Sequence, residues 1–139
     1  THAFEGVLKG RLTTLLLGLD AAMAARVEGL GRAWKETSVL VVTEFGRTAR
    51  INGTSGTDHG TATVAFLLGG GVKGGRVLAD WPGLADAQLY EGRDLKPTQD
   101  LRALAKGLLQ EQFGITSAQL ATTVFPDSRA VAPLTGLHA

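Results

Sequence analysis

Between Glu44 and Gly60 the chain gathers most of its chemically able side chains into one stretch: Glu44-Phe45-Gly46-Arg47, then Asn52-Gly53, then Gly56-Thr57-Asp58-His59-Gly60. Carboxylate and imidazole together are the ligand set of zinc, manganese and magnesium centres, so Glu44, Asp58 and His59 are the residues with which a metal site could be built. A histidine in a glycine-rich turn can equally hydrogen-bond its own backbone, and spacing alone does not separate a ligand from a capped turn.

Two apolar runs flank this stretch and must position it. Ser38 to Thr43 leads in, and Val39 to Val42 is apolar without alternation, the pattern of a short strand covered on both faces. Ala62 to Leu68 leads out as a second buried strand and empties into Gly69-Gly70-Gly71, where the backbone can turn. Loops at strand ends are where α/β proteins keep their sites, so any active centre of this chain is expected between these runs.

Upstream, Phe4, Leu8, Leu12, Leu15, Leu16, Leu19, Met23, Val27 and Leu30 recur at helical spacing, which predicts a long amphipathic helix loosened at Gly29 and Gly31. Downstream, Trp81-Pro82-Gly83 reads as a turn and Leu89 to Asp94 as a hairpin tip. Pro97-Thr98 opens a second helix whose apolar face is Leu101, Leu104, Ala105, Leu108 and Leu109, closed by Gly114. A further short helix is expected over Ser117 to Thr122, and a mobile tail from Asp127. The run Gly69 to Gly75 lacks the Gly-Lys-Ser/Thr ending of a phosphate-binding loop and opens no helical pattern, so it reads as a tight turn.

Composition narrows the function classes. The chain has 139 residues, one domain's worth. Lys plus Arg is 14 against 13 Asp plus Glu, without a basic block or an aromatic ladder, so no footprint for nucleic acid stands out. With no cysteine, disulfides, thiolate metal sites and a cysteine nucleophile are excluded, and neither a redox nor a nucleotide cofactor is expected. The longest apolar stretch, around Leu12 to Met23, is interrupted by Thr13, Thr14 and Asp20 and falls short of a membrane span. The chain opens on Thr1, and the expectation is a fragment or processed product whose targeting signal lies upstream.

The order of motifs resembles the carboxy-terminal part of the domain-of-unknown-function-1501 family: Thr1-His2, a long helix, Thr43-Glu44-Phe45-Gly46-Arg47-Thr48, Gly56 to Gly60, Gly69 to Gly75, Trp81 to Leu84, Asp94 to Leu104 and Val124-Phe125-Pro126. That family is placed near the alkaline phosphatases and sulfatases and is mostly exported, which implies a periplasmic or extracellular location. The resemblance implies a three-layer α/β fold of the alkaline phosphatase kind, with a mostly parallel sheet flanked by helices. Residues 1–126 would be its carboxy-terminal portion and 127–139 a flexible tail.

By position, the resemblance makes His2, Glu44 and His59 the metal ligands, Glu44 standing where a strand-end Asp would be. Asp58 would orient His59 through its free ring nitrogen. Arg47 would grip a phosphate or sulfate oxygen, a task its planar fork suits. The run Asp94-Leu95-Lys96-Pro97-Thr98 matches the entry into the superfamily's closing helix and fixes register only. A second register instead makes Thr57-Asp58-His59-Gly60 the strand-end motif. Phe45 stands where a second metal-binding histidine would be, and the strand that would carry the nucleophile is not in the chain.

The implied activity is hydrolysis of phosphate or sulfate esters with a divalent metal (zinc, manganese, magnesium or calcium), this chain supplying part of the metal site and being inactive alone. Two rivals stand beside it. In one, the metals are lost and the loop binds an anionic ester or glycan without turnover, as Phe45 favours. In the other, the chain is an assembly module with glycine-rich packing loops, in line with its 19 glycines. A chain lacking its first strands would also expose an apolar sheet edge and self-associate.

Overall fold

A computed structural model describes residues 10–139, leaving the expected ligand His2 outside the described residues. Its elements in chain order are α1 (Arg11–Leu30), β1 (Ser38–Val41), β2 (Gly46–Arg47), β3 (His59–Gly60), β4 (Phe66–Gly69), α2 (Leu101–Phe113) and α3 (Ser117–Gln119). They divide between two units. Among the described residues, the first takes in 10–34 with Val42–Ala65 and Pro82–Pro97; the second takes in Lys35–Val41, Phe66–Trp81 and Thr98–Ala139.

The mostly parallel, three-layer sheet expected from the resemblance is not the fold of this chain. Among the described residues there are two sheets of two strands each, both antiparallel: β1 with β4, and β2 with β3. The cause lies in the connection. Parallel neighbours need a crossover long enough to return to the same end, usually a helix. Between Val41 and Phe66 the chain has only glycine-rich loop and the two-residue strands β2 and β3, so the second apolar run comes back antiparallel, with Leu40 opposite Leu67. All four residues of β1 are half-buried and Phe66 on β4 is 52% exposed, so neither run is the fully covered strand that its lack of alternation suggests.

In the first unit α1 forms over the described part of the predicted helix and ends at Gly31; Phe4 and Leu8 of that periodicity lie outside the described residues. None of its residues is buried, and Leu15, Leu16 and Leu17 are each more than half exposed. The hairpin tip forms as well. Tyr90 and Asp94 exchange backbone hydrogen bonds around a turn in which Glu91 and Gly92 both take positive φ. Among the described residues no helix is long and apolar enough to cross a membrane.

The second unit is organised by α2. Asp100 caps its start by accepting the backbone N–H of Arg102 at 2.8 Å, and Gly114 ends it in the left-handed conformation at φ 66°. Ala103 and Leu108 on this helix are buried, as are Leu120, Ala121 and Leu137. The closing residues, where composition favours mobility, meet α2 and the glycine turn at several points: Leu134 N–H donates to Ala103, Ala139 N–H to Gly71, and Lys73 N–H to Leu137.

Lys106 is 2% exposed and lies on the core side of α2. It is tolerated there because its ammonium donates to the carbonyls of Ser128 at 2.6 Å and Val131 at 2.9 Å. These bonds fix the turn after Pro126 to the helix. Lys106→Met keeps the apolar stem and strands both carbonyls, so it should cost about 2 kcal/mol of stability, read as a lower urea midpoint. An unchanged midpoint would show that the ammonium is not what holds this turn.

Candidate functional site

The segment Glu44–Gly60 lies wholly in the first unit and is shaped by the β2–β3 pair. Gly46 faces Gly60 and Arg47 faces His59. Both glycines are required by close approach. A Cβ on Gly46 would run into the Ala62 backbone, and one on Gly60 into the backbone of Arg47 and Thr48. The two segments therefore lie nearer than any side chain would allow, and Arg47 and His59, directly opposite, present their side chains on the same face.

His59 stacks flat on Phe45, with ring centroids 4.3 Å apart and planes 9° from parallel. Phe45 immediately precedes β2 and reaches this face through its stack on His59. Phe45, His59 and Arg47 thus form one exposed aromatic and cationic surface. The Arg47 guanidinium is steered by a hydrogen bond from Nη1 to the Thr57 carbonyl at 3.2 Å. Among the described residues no group hydrogen-bonds the ring nitrogens of His59 or the exposed carboxylate of Glu44.

Asn52 builds the tip of the loop. Its Oδ1 accepts the backbone N–H groups of Thr54 and Gly56, both at 3.0 Å, and the Thr54 hydroxyl at 2.9 Å. Its Nδ2 donates to the Asp58 carboxylate at 2.8 Å. Asp58 therefore spends this bond on the turn rather than on the ring of His59. Thr48, buried between the two segments, accepts the Asp58 N–H on its hydroxyl and donates its own N–H to the Asp58 carbonyl.

The whole arrangement is tied down by Asp94, 4% exposed, which sequence matching used only for register. Its carboxylate accepts Arg93 Nε at 2.7 Å and the Thr61 hydroxyl at 2.9 Å. The backbone beside it bonds back into the loop, Leu95 N–H to the Arg47 carbonyl and Ala49 N–H to the Arg93 carbonyl. The Arg93 guanidinium, together with Thr61, holds the Asp94 carboxyl below its ordinary range against the upward push of burial. The arginine beside Asp86 at the rim is Arg50, and these two form an exposed ion pair of little energetic weight.

Of the residues chosen from sequence, the fold brings Phe45, Arg47 and His59 together and gives Asp58 to the turn. Glu44 stands exposed at the start of the segment. No group of three or more His, Asp or Glu side chains that could hold a metal occurs among the described residues. Sequence reasoning passed over Ser38, Glu111 and His138, which the second unit brings into contact. They are far apart in the chain and share no motif.

A sequence model of the family described as "Protein of unknown function (DUF1501)" matches residues 1–125. No match emerges among curated proteins or solved structures.

Because the folded Asp94 carboxyl lies below its ordinary range, the stability it contributes is fully present above about pH 4 and is lost as pH falls through the depressed folded value. Thermal melts of the full chain between neutral and acid pH should fall more steeply on the acid side for the parent than for Asp94→Asn, which has no carboxyl to protonate. Parallel acid limbs would remove Asp94 as the anchor of the loop.

Proposed function

The chain belongs to the DUF1501 family, whose model spans residues 1–125, and from that premise we propose that its Glu44–Gly60 segment recognises an anionic ester, a phosphate- or sulfate-bearing small molecule or glycan. One observation carries the reading: Arg47 and His59 stand directly opposite on the exposed β2–β3 pair, with Phe45 stacked on the imidazole. The guanidinium supplies a planar pair of donors to the oxyanion, and a charged hydrogen bond of this kind is the strong kind. The flat Phe45–His59 surface suits the apolar face of a sugar or aryl group.

A second reading keeps the same loop as half of a metal-dependent ester hydrolase. The ring nitrogens of His59 and the Glu44 carboxylate, which no group among the described residues hydrogen-bonds, favour it, and a metal there would polarise the ester oxygen. His2 and groups outside the described residues would complete the ligand set. Kinship with the alkaline phosphatases and sulfatases belongs to this reading; it rests on the motifs around the loop and not on the sheet. An exported location goes with it, again from the family resemblance alone.

Calorimetric titration of the full chain with phenyl phosphate and phenyl sulfate tests the first reading. Arg47→Ala should weaken binding about tenfold or more, the worth of one charged hydrogen bond, and His59→Ala should weaken it less. Equal affinity in Arg47→Ala would refute anion recognition by this surface. Turnover that appears on adding zinc or manganese and disappears with His59→Ala would move the assignment to the second reading.

A further inference from the structure

A second constellation lies in the other unit and owes nothing to the reading of the Glu44–Gly60 loop. Ser38 Oγ is 3.0 Å from His138 Nε2, and His138 Nδ1 is 3.3 Å from Glu111 Oε2. Ser38 and His138 also line a cleft of about 380 Å³ with Lys35, Glu36, Gln112 and Phe113. We propose that Ser38, His138 and Glu111 act as nucleophile, general base and positioning carboxylate for the hydrolysis of small carboxylic esters bound in this cleft.

Each member is held by a separate element. Ser38 is the first residue of β1 and pairs with Gly69, so no side chain stands beside it across the ladder. Glu111, on α2, accepts the backbone N–H groups of Gly136 at 2.5 Å and of Leu137 and His138 at 2.8 Å. His138 is pinned from its other side as well, by a β-bridge to Val72 and by the Ala139 N–H bonded to the Gly71 carbonyl. The imidazole is thus fixed before any substrate arrives.

The protons fall in the order the chemistry needs. Burial alone would raise the Glu111 carboxyl, but the three backbone N–H groups and the His138 ring together hold it below the ordinary range, so it is a carboxylate. A carboxylate only accepts, which puts the ring proton of His138 on Nδ1 and leaves Nε2 to accept from the Ser38 hydroxyl. Serine, imidazole and carboxylate in this sequence form an activated nucleophile.

A purely structural clamp would not need the serine. The backbone bonds to Glu111 already fix residues 136–138 to α2, and the Ser38–His138 bond adds a contact on the cleft wall instead. The cleft volume is near the lower end for small-molecule sites, which limits the substrate to a short ester. Phe113 offers an apolar wall for its acyl or alcohol part, and Lys35 is the cation on the lining available to a developing oxyanion.

In the reaction Ser38 Oγ bonds to the acyl carbon as its proton passes to His138 Nε2. The bond from carbon to the alcohol oxygen breaks, and the leaving alkoxide takes that proton. Water then adds to the acyl carbon, giving its proton to Nε2, and Ser38 departs with it. The sum is ester plus water to acid plus alcohol, with no other reactant.

The full chain should be treated with an alkyl fluorophosphonate, followed by intact mass and peptide mapping. One adduct, at Ser38, is expected, absent in Ser38→Ala and formed at least about a hundredfold more slowly in His138→Gln, the scale of lost general-base catalysis. Glu111→Gln keeps one of the two oxygens that accept the backbone N–H groups and loses the charge that stabilises the imidazolium. Its labelling should therefore reach its plateau at a lower pH than the parent's, a shift that loosening of the tail would not produce. The other ionisable groups on the lining, Lys35 and Glu36, are unchanged in this variant. No adduct at Ser38 in a chain that melts normally, or equal labelling rates in parent and His138→Gln, would overturn the proposal.

Discussion

A carboxylate taken out of water must be hydrogen-bonded on all sides or it destabilises what surrounds it, and Asp94 meets that demand by recruiting the loop that carries the candidate site. Thr61 reaches it from just after β3, Arg93 from the hairpin tip, and the backbone of residues 93–95 bonds to residues 47–49. Among the described residues of this unit the sheet is only the two-residue β2–β3 pair, so these bonds do what a longer ladder does elsewhere. They set the β2–β3 register, and the register decides that Arg47 meets His59.

The same economy applies in the second unit, where α2 acts through polar groups that point inward. Lys106 ties the turn after Pro126 and Glu111 ties residues 136–138, so one helix fixes the closing segment at two places by opposite charges. Apolar burial there is modest, and directional bonds supply the definition. Both candidate sites are by-products of such anchors: each uses a side chain placed by a carboxylate whose other bonds are structural.

Much of the local structure was legible in the sequence. Helical spacing marks α1 and α2, Gly114 closes α2, the apolar runs near Val39 and Phe66 form strands, and the turn residues around Glu91-Gly92 form a hairpin tip. Strand direction was not legible, because unalternating apolar runs carry no sign of parallel or antiparallel pairing. The resemblance suggested a parallel sheet, and the helix-free connection from Val42 to Ala65 gave an antiparallel one. Within the site, the stretch itself was identifiable from its residue types, but the Phe45–His59 stack depends on a two-residue strand pairing set by glycine contacts. The Ser38–His138 bond joins residues 100 positions apart and left no local signal.

The loop account turns on whether Arg47 and His59 act as one surface. Nuclear magnetic resonance of the full chain, following the Arg47 Nε–H and His59 ring signals while phenyl sulfate is added, addresses this directly. The account predicts that both move along one saturable curve, with the Phe45 ring signals moving alongside. Signals of Arg47 and His59 that stay fixed, or that titrate independently of each other, would contradict it.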